Sequence, residues 1–314
     1  MIALILYISK IKKSRAFKNI FYKNAGKSKK GKEAPYGHTL SAFVIRFFEV
    51  LLTGVGLLFV AFEPDEKKEG AFDLLCDLFR EPLVRKQKIE VPGALPFYEI
   101  SAKAYRGRCP WEAVENAAGA LRSRILLPPG IVPPEESSLL PFSPSVFCER
   151  LLFNTAVRSI EKMRLDPCRV SITLFDENAY LVDLAQSLVP LAFQIRVVTA
   201  CVAAYETLGE YLLEEFGISL VVSARSDDSV LSSTFIISAP GKNIPLVFPG
   251  ILFTNRKERM MNAVVMTGEG FDLPQKYVPL LPEKIDPLTF AGALYELCGA
   301  DELGKLRYKN TVAV

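Results

Sequence analysis

Six polar residues stand directly after three strand-like segments, where side chains could do chemistry together. They are Asp176, Glu177, Thr199, Ser223, Arg225 and Asp227. A carboxyl group such as that of Asp176 can act as a general acid or base, and the guanidinium of Arg225 can hold an anionic ligand. We treat the six as the candidate ligand-binding site. We predict no catalytic residue, and Asp176 is the alternative. The pattern also allows an ordinary polar loop, with Asp176 and Glu177 capping a helix.

The elements that must position these residues form a β-α-β-α-β series between residues 169 and 223. The strand-like runs are RVSITLF, QIRVVT and ISLVVS, and two segments with helical periodicity separate them. In the first, Leu181, Leu184 and Leu188 share one face, and the second ends at Gly217. Crossovers of this length are right-handed, which predicts three parallel strands with helices packed on the sheet. The carboxyl ends of those strands lie at one edge, where the six residues would converge.

This order of elements resembles one half of a Rossmann-like dinucleotide-binding domain, over residues 145 to 300. The resemblance implies an α/β fold, in which a parallel sheet has helices on both faces. Such domains hold a pyrophosphate at a glycine-rich turn after the first strand and a ribose at an acidic residue after the second. This chain has Phe175-Asp176-Glu177-Asn178-Ala179 and Thr199-Ala200-Cys201 at those places, with no glycine and no acid respectively. Carboxylates at the helix start would repel a phosphate. We therefore predict no cofactor, with NAD(P) as the alternative that the fold implies.

Two hypotheses for the function follow. The first is a non-catalytic or regulatory protein on a degenerate Rossmann-like scaffold, which binds a partner or a small ligand. The second is a nucleotide-dependent oxidoreductase or transferase that uses the crevice at the carboxyl ends of the strands. His38 is the only histidine, so we predict neither a metal site nor a Ser-His-Asp triad. The six cysteines show no CxxC spacing, which favours reduced thiols in a cytoplasmic protein.

The N-terminal part of the chain is basic. Between Lys10 and Lys32 there are ten Lys or Arg residues and no acid. We predict a disordered tail over residues 1–35. Such a tail could bind an anionic membrane surface through residues 10–32, and nucleic acid is the alternative partner.

The remaining boundaries follow from composition. Residues 36–126 are predicted to form a smaller α+β unit that contains the apolar segment 41–62. That segment has the length of a membrane span, but Arg46 and Glu49 favour a buried helix or two strands that turn at residues 53–56. A single membrane helix that anchors the protein is the alternative. The other predicted parts are a Pro-rich linker over 127–144, the Rossmann-like domain over 145–305 and a C-terminal tail over 306–314.

Overall fold

The computed structural model describes residues 57–63, 84–103, 109–225, 232–238, 248–255 and 263–313. Of residues 57–63 and Lys103 only the backbone is described. The predicted basic tail, residues 41–56 and Asp227 lie outside the described residues. All described residues belong to one compact unit, which spans residues 50–314.

A small mixed sheet begins the described chain. Its strands are β1 (Leu57–Glu63), β2 (Val84–Ile89), β3 (Phe97–Lys103) and β4 (Ile125–Leu126). The spatial order is β2-β3-β1-β4, in which β1 is parallel to β3 and β4, and β2 is antiparallel to β3. Helix α1 (Trp111–Ala118) packs on this sheet, because Val114 and Ala118 join Ile100 and Ile125 in one buried cluster.

Strand β1 includes the last six residues of the apolar segment 41–62, Leu57 to Phe62. These six residues are therefore extended and do not end a membrane helix. Their conformation corresponds to the second strand of the predicted strand pair. In the part of the chain that the structure describes, no helix combines the length and the apolar character that crossing a bilayer requires.

The Pro-rich segment 127–144 runs along the edge of the small sheet. The backbone N–H of Phe142 donates to the carbonyl of Ile125 at 2.8 Å, and that of Leu140 donates to Arg122 at 2.8 Å. Leu139 is buried in the same cluster as Ile125. The segment is thus held to β4 by main-chain hydrogen bonds and by one buried side chain.

Four further helices follow: α2 (Val146–Met163), α3 (Val182–Ala185), α4 (Val202–Phe216) and α5 (Pro287–Cys298). Helix α2 begins after Ser145. Helix α5 begins after Asp286, whose carboxylate caps the helix by accepting the N–H of Thr289 at 2.9 Å.

The second sheet has seven strands, and its parallel part has the doubly wound order. The strands are β5 (Ser171–Phe175), β6 (Gln194–Val198), β7 (Leu220–Ser223), β8 (Phe235–Ser238), β9 (Ile251–Phe253), β10 (Val264–Glu269) and β11 (Asn310–Ala313). They lie in the order β11-β10-β9-β8-β5-β6-β7, and β5 to β10 are parallel. Numbered along the chain from β5, the parallel strands are arranged 3-2-1-4-5-6, the classic Rossmann order.

Strand β11 lies in a segment that the sequence analysis assigns to a C-terminal tail. Residues 310–313 pair antiparallel with β10 at the edge of the sheet. Two contacts hold the chain on the way there: the N–H of Tyr308 donates to the Thr155 hydroxyl at 2.9 Å, and that of Lys309 donates to the Gly270 carbonyl at 2.9 Å. Residues 310–313 are therefore an edge strand and not a tail. A four-residue strand is too short to show a periodicity that the sequence could reveal.

Helices α2, α3 and α4 contribute to one apolar cluster with β5, β6, β8 and β9. A separate cluster on alternate strand residues contains Phe175, Ile236, Leu252, Val265 and Phe248. The predicted fold class is confirmed: a Rossmann-like parallel sheet flanked by helices, preceded by a smaller unit with its own sheet.

Candidate functional site

The carboxyl ends of β5, β6 and β7 bring most of the predicted site residues together. The N–H of Asp176 donates to the carbonyl of Val198 at 3.0 Å, and the N–H of Thr199 donates to Ser223 at 3.0 Å. The carbonyl of Glu177 accepts from Ala200 at 3.1 Å. Asp176, Glu177, Thr199 and Ser223 therefore occupy neighbouring positions at one edge of the sheet, as the topology requires.

The Asp176 carboxylate lies inside the protein. The residue has 0% exposure. One oxygen accepts from the backbone N–H of Tyr180 at 2.9 Å, and the other accepts from the N–H of Leu181 at 2.8 Å and from the hydroxyl of Tyr205 at 2.6 Å. Burial and the charge of Asp176 raise the pKa of the Tyr205 hydroxyl, which keeps it protonated as a donor. Three donors thus satisfy this carboxylate.

The turn that precedes α3 is tight. The N–H of Ala179 donates to the carbonyl of Asp176 at 3.3 Å, and Ala179 has the left-handed φ of 57°. Because Asp176 binds the N–H groups of residues 180 and 181, regular helix begins only at Val182 and ends at Ala185. The segment with helical periodicity, residues 177–189, is therefore mostly a turn and 3₁₀ structure, and the 3₁₀ helix Gln186–Leu191 contains Pro190.

Arg150 is a polar residue of this region that the sequence analysis missed. Its guanidinium donates to the Asp183 carboxylate at 2.9 Å and 2.5 Å and to the carbonyl of Tyr180 at 2.9 Å, and it lies 5.7 Å from the Tyr295 ring. The side chain is 11% exposed. Since its partner Asp183 is distant in sequence, no local pattern could have indicated the pair.

The other predicted site residues are held by local hydrogen bonds. The hydroxyl of Thr199 is buried, donates to the Glu177 carbonyl at 3.3 Å and accepts the N–H of Cys201 at 3.0 Å. The hydroxyl of Ser223 donates to the carbonyl of Arg225 at 3.0 Å. Glu177 and Arg225 are exposed. This edge is therefore a hydrogen-bonded set of strand ends with two exposed charged side chains.

These residues do not fit a dinucleotide. The pyrophosphate of such a ligand needs N–H donors at the helix start and a backbone that a phosphate can approach. Here the donors of residues 180 and 181 already bind a buried carboxylate. Strand β6 ends at Val198 and is followed by Thr199, so the acidic ribose ligand is also missing.

A cleft of about 1140 Å³ opens at the carboxyl ends of β9 and β10. It lies between the N-termini of α2 and α5 and the edge strand β11. Its polar lining residues are Ser145, Cys148, Glu149, Asn255, Thr267, Glu269, Asp286 and Tyr308. Ligands of open α/β sheets bind outside the carboxyl ends of strands, so the position is typical of a binding site.

The cleft contains a partly buried thiol with carboxylates nearby. Burial, and then the carboxylates of Glu296, Asp286 and Glu149, raise the pKa of the Cys148 thiol to about 11. Burial also raises the pKa of the Tyr308 hydroxyl, which is hydrogen-bonded to Asn255. The Asn255 amide donates to the Cys148 carbonyl at 3.4 Å. The Cys148 thiol and the Tyr308 hydroxyl are therefore protonated at neutral pH and can donate hydrogen bonds.

No sequence pattern indicated this cleft. Its walls include Asp286 at the N-terminus of α5 and the strand β11, which lies in the segment predicted to be a C-terminal tail. Among the residues that the structure describes, no group of three or more His, Cys, Asp or Glu side chains is placed to hold a metal ion.

The strand order defines the large sheet as a Rossmann-like α/β fold. The chain matches no protein-family model. No curated protein sequence matches it significantly.

Among solved structures, the chain is similar to a quinate dehydrogenase from Corynebacterium glutamicum in complex with NAD. The match has 9% identity and a TM-score of 0.27, and covers 63% of this chain and 79% of that one. It is also similar to an L-tryptophan dehydrogenase from Nostoc punctiforme, with 12% identity, a TM-score of 0.28 and coverage of 81% and 77%. The similarity concerns the fold alone.

Proposed function

We propose that this protein is a non-catalytic or regulatory protein on a degenerate Rossmann-like scaffold, which binds a partner or a small ligand. One observation carries the proposal: the fully buried Asp176 carboxylate binds the N–H groups of residues 180 and 181 that would otherwise be available to a pyrophosphate. The protein keeps the strand order of the fold and fills its usual anion site with its own side chain.

An oxidoreductase or transferase that worked at this edge would need Asp176 to exchange a proton with a substrate. The Asp176 carboxylate has no exposed surface. One of its oxygens accepts a hydrogen bond from the Tyr205 hydroxyl, and the raised pKa of that hydroxyl opposes proton transfer. The geometry thus favours a structural carboxylate over a general acid or base.

A small ligand would bind in the cleft at the ends of β9 and β10. The cleft has the size of a metabolite site, and its thiol, amide and hydroxyl groups stand beside the apolar residues Phe271 and Leu288. The proposed site therefore lies on the opposite half of the sheet from the site that the sequence predicts.

Titration with NADH and NADPH tests the proposal. We expect no saturable change in ligand fluorescence up to about 1 mM, a Kd that corresponds to about 4 kcal/mol of binding energy, because the Asp176 carboxylate already binds the N–H groups of residues 180 and 181. The double variant Glu177→Gly/Ala179→Gly restores glycine to the turn but keeps Asp176, and it should also fail to bind. Micromolar binding by the wild-type protein would refute the proposal.

Ligand screening by thermal shift tests the cleft. Ala313→Trp places a bulky ring at an exposed position of the cleft wall, and Asn310→Trp is the matched control on the same strand outside the lining. A ligand of the cleft should raise the melting temperature of the wild-type protein and of Asn310→Trp, but not of Ala313→Trp. Hits that stabilise all three proteins equally would place the ligand elsewhere.

A further inference from the structure

Strand β7 is an edge of the large sheet. In the described part of the chain it pairs with β6 alone, and all four of its residues are half-buried. Its sequence Leu-Val-Val-Ser contains neither a charge nor a proline, the features that usually protect an edge strand from pairing with another chain. The outer main-chain groups of β7 are therefore placed to accept a further strand.

Helix α4 extends this edge with apolar side chains. A Cβ atom at Gly209 would lie 3.5 Å from the Cβ of Leu220, so this face of α4 rests on β7. Leu213 and Phe216 follow Gly209 at i+4 and i+7 and lie on the same face. They are 57% and 48% exposed. The face of α4 that rests on β7 thus continues towards its C-terminus with two large exposed apolar residues.

The same helix is strongly acidic. It contains Glu206, Glu210, Glu214 and Glu215, all exposed, and no Lys or Arg. Glu206 and Glu210 precede Leu213 by seven and three residues, which places them beside it on the helix surface. The apolar pair at the β7 edge therefore has carboxylates along its flank.

We propose that β7 and the adjoining face of α4 form a docking surface for an extended basic segment of a partner protein. The segment would pair with β7 as an added strand. Its apolar residues would cover Leu213 and Phe216, and its Lys or Arg residues would face Glu206 and Glu210. A second copy of this chain does not suit the surface, because two α4 helices would then bring eight carboxylates together. The proposal does not depend on dinucleotide binding.

Fluorescence anisotropy with a defined peptide tests the proposal. The probe is a labelled strand-forming peptide of about twelve alternating lysines and valines, and its control has glutamate in place of lysine. We expect the full-length protein to bind the lysine peptide with an affinity that falls as salt rises, and not to bind the glutamate peptide. A lysine peptide with alternate backbone nitrogens methylated should lose at least about tenfold in affinity, because it cannot extend the sheet.

Two double variants locate the contact. Leu213→Ser/Phe216→Ser and Glu206→Lys/Glu210→Lys should each weaken binding at least about tenfold, as expected where hydrophobic anchors and charges act together. The matched controls are Phe193→Ser, which is 57% exposed on another part of the surface, and Glu135→Lys on the Pro-rich segment. All four variants replace exposed residues, so their circular dichroism spectra should match that of the wild-type protein.

Three outcomes would overturn the proposal. The first is no binding of the lysine peptide at about 1 mM, the weakest affinity that such a site would be expected to show. The second is binding that the surface variants leave unchanged or that does not distinguish the lysine from the glutamate peptide. The third is a dimer in analytical ultracentrifugation that dissociates in Leu213→Ser/Phe216→Ser, since the surface would then bind a second copy.

Discussion

The hydroxyl of Tyr205 on α4 donates a hydrogen bond of 2.6 Å to the carboxylate of Asp176 at the end of β5. This bond ties the second crossover helix to the first turn of the parallel sheet, at the place where a Rossmann domain ordinarily receives its ligand. Both residues are fully buried. The pair places a buried, hydrogen-bonded carboxylate at the carboxyl end of the first parallel strand.

Tyr205→Phe removes one of the three donors to the Asp176 carboxylate and leaves the ring in place. We expect the free energy of unfolding to fall by about 1–3 kcal/mol, the cost of leaving part of a buried charged acceptor without its partner. Urea denaturation followed by circular dichroism measures the change. Tyr211→Phe on the exposed side of the same helix is the control, and it should change stability by less than about 0.5 kcal/mol. Equal effects of the two variants would show that the hydrogen bond contributes little.

Ala179→Gly should stabilise the protein or leave its stability unchanged. Ala179 has a φ of 57°, where a side chain costs about 1–2 kcal/mol and glycine fits without strain. The gain is reduced by the greater freedom of glycine in the unfolded chain, so we expect a net rise of up to about 1 kcal/mol.

Ala203→Gly is the control for Ala179→Gly. Ala203 is exposed in the first turn of α4, where glycine should cost about 0.5–1 kcal/mol. Thermal melts of both variants measure the difference. A loss of stability in Ala179→Gly as large as that in Ala203→Gly would contradict the left-handed conformation of Ala179.

Gly292→Ala should destabilise the contact between α2 and α5. A Cβ atom at Gly292 would overlap the Cβ of Pro144 and lie 2.9 Å from its Cγ. Relief of this overlap would require α5 and the residues just before α2 to move apart, and both line the cleft. Overpacking of this kind costs about 1–3 kcal/mol.

Gly209→Ala is the matched control for Gly292→Ala. Its added methyl group would lie at the ordinary distance of 3.5 Å from Leu220. We expect a gain of up to about 1 kcal/mol, because alanine is the better helix former. If chemical denaturation shows the two variants to have the same stability, the helices do not approach as closely as the structure shows.

The sequence predicted the parts of the fold that depend on local patterns. Apolar strand runs and two amphipathic helices between them are sufficient to indicate three parallel strands, and a right-handed crossover rule then places their carboxyl ends together. Asp176, Glu177, Thr199 and Ser223 do meet at that edge. The caps of α5 at Asp286 and Gly299 can also be predicted from the sequence, because capping depends on neighbouring residues.

Contacts between distant residues were not predictable in this way. The pairing of Tyr205 with Asp176 and of Arg150 with Asp183 depends on how α4 and α2 are placed on the sheet. Helical periodicity puts Phe216 on the same side of α4 as the buried Tyr205 and Leu212, yet Phe216 at the end of the helix is 48% exposed. The cleft was missed for a similar reason, since the strand β11 is too short to be recognised.

Alkylation of the cysteines should separate Cys148 from Cys168. The thiolate is the reactive form, and the pKa of Cys148 is raised to about 11 by burial and by nearby carboxylates. Only about one Cys148 thiol in a thousand is therefore ionised at pH 8, and the fraction rises about tenfold with each pH unit up to about pH 10. Cys168 is exposed. We expect iodoacetamide to modify Cys168 rapidly at pH 8 and Cys148 slowly, with a rate at Cys148 that increases about tenfold from pH 8 to pH 9.

Peptide mapping by mass spectrometry reads each cysteine separately, and Cys298 provides an internal control for unfolding. Burial raises the pKa of Cys298 to about 12, and the residue is 1% exposed. If Cys148 reacts only when the protein unfolds, Cys148 and Cys298 will be modified at the same rate at every pH. If Cys148 reacts from the folded state through the cleft, it will be modified faster than Cys298 and more slowly than Cys168. Rapid modification of Cys148 at pH 8 would contradict its burial beside these carboxylates, because a thiol in contact with water and without carboxylate neighbours would have its ordinary pKa of 9.0, about two pH units lower.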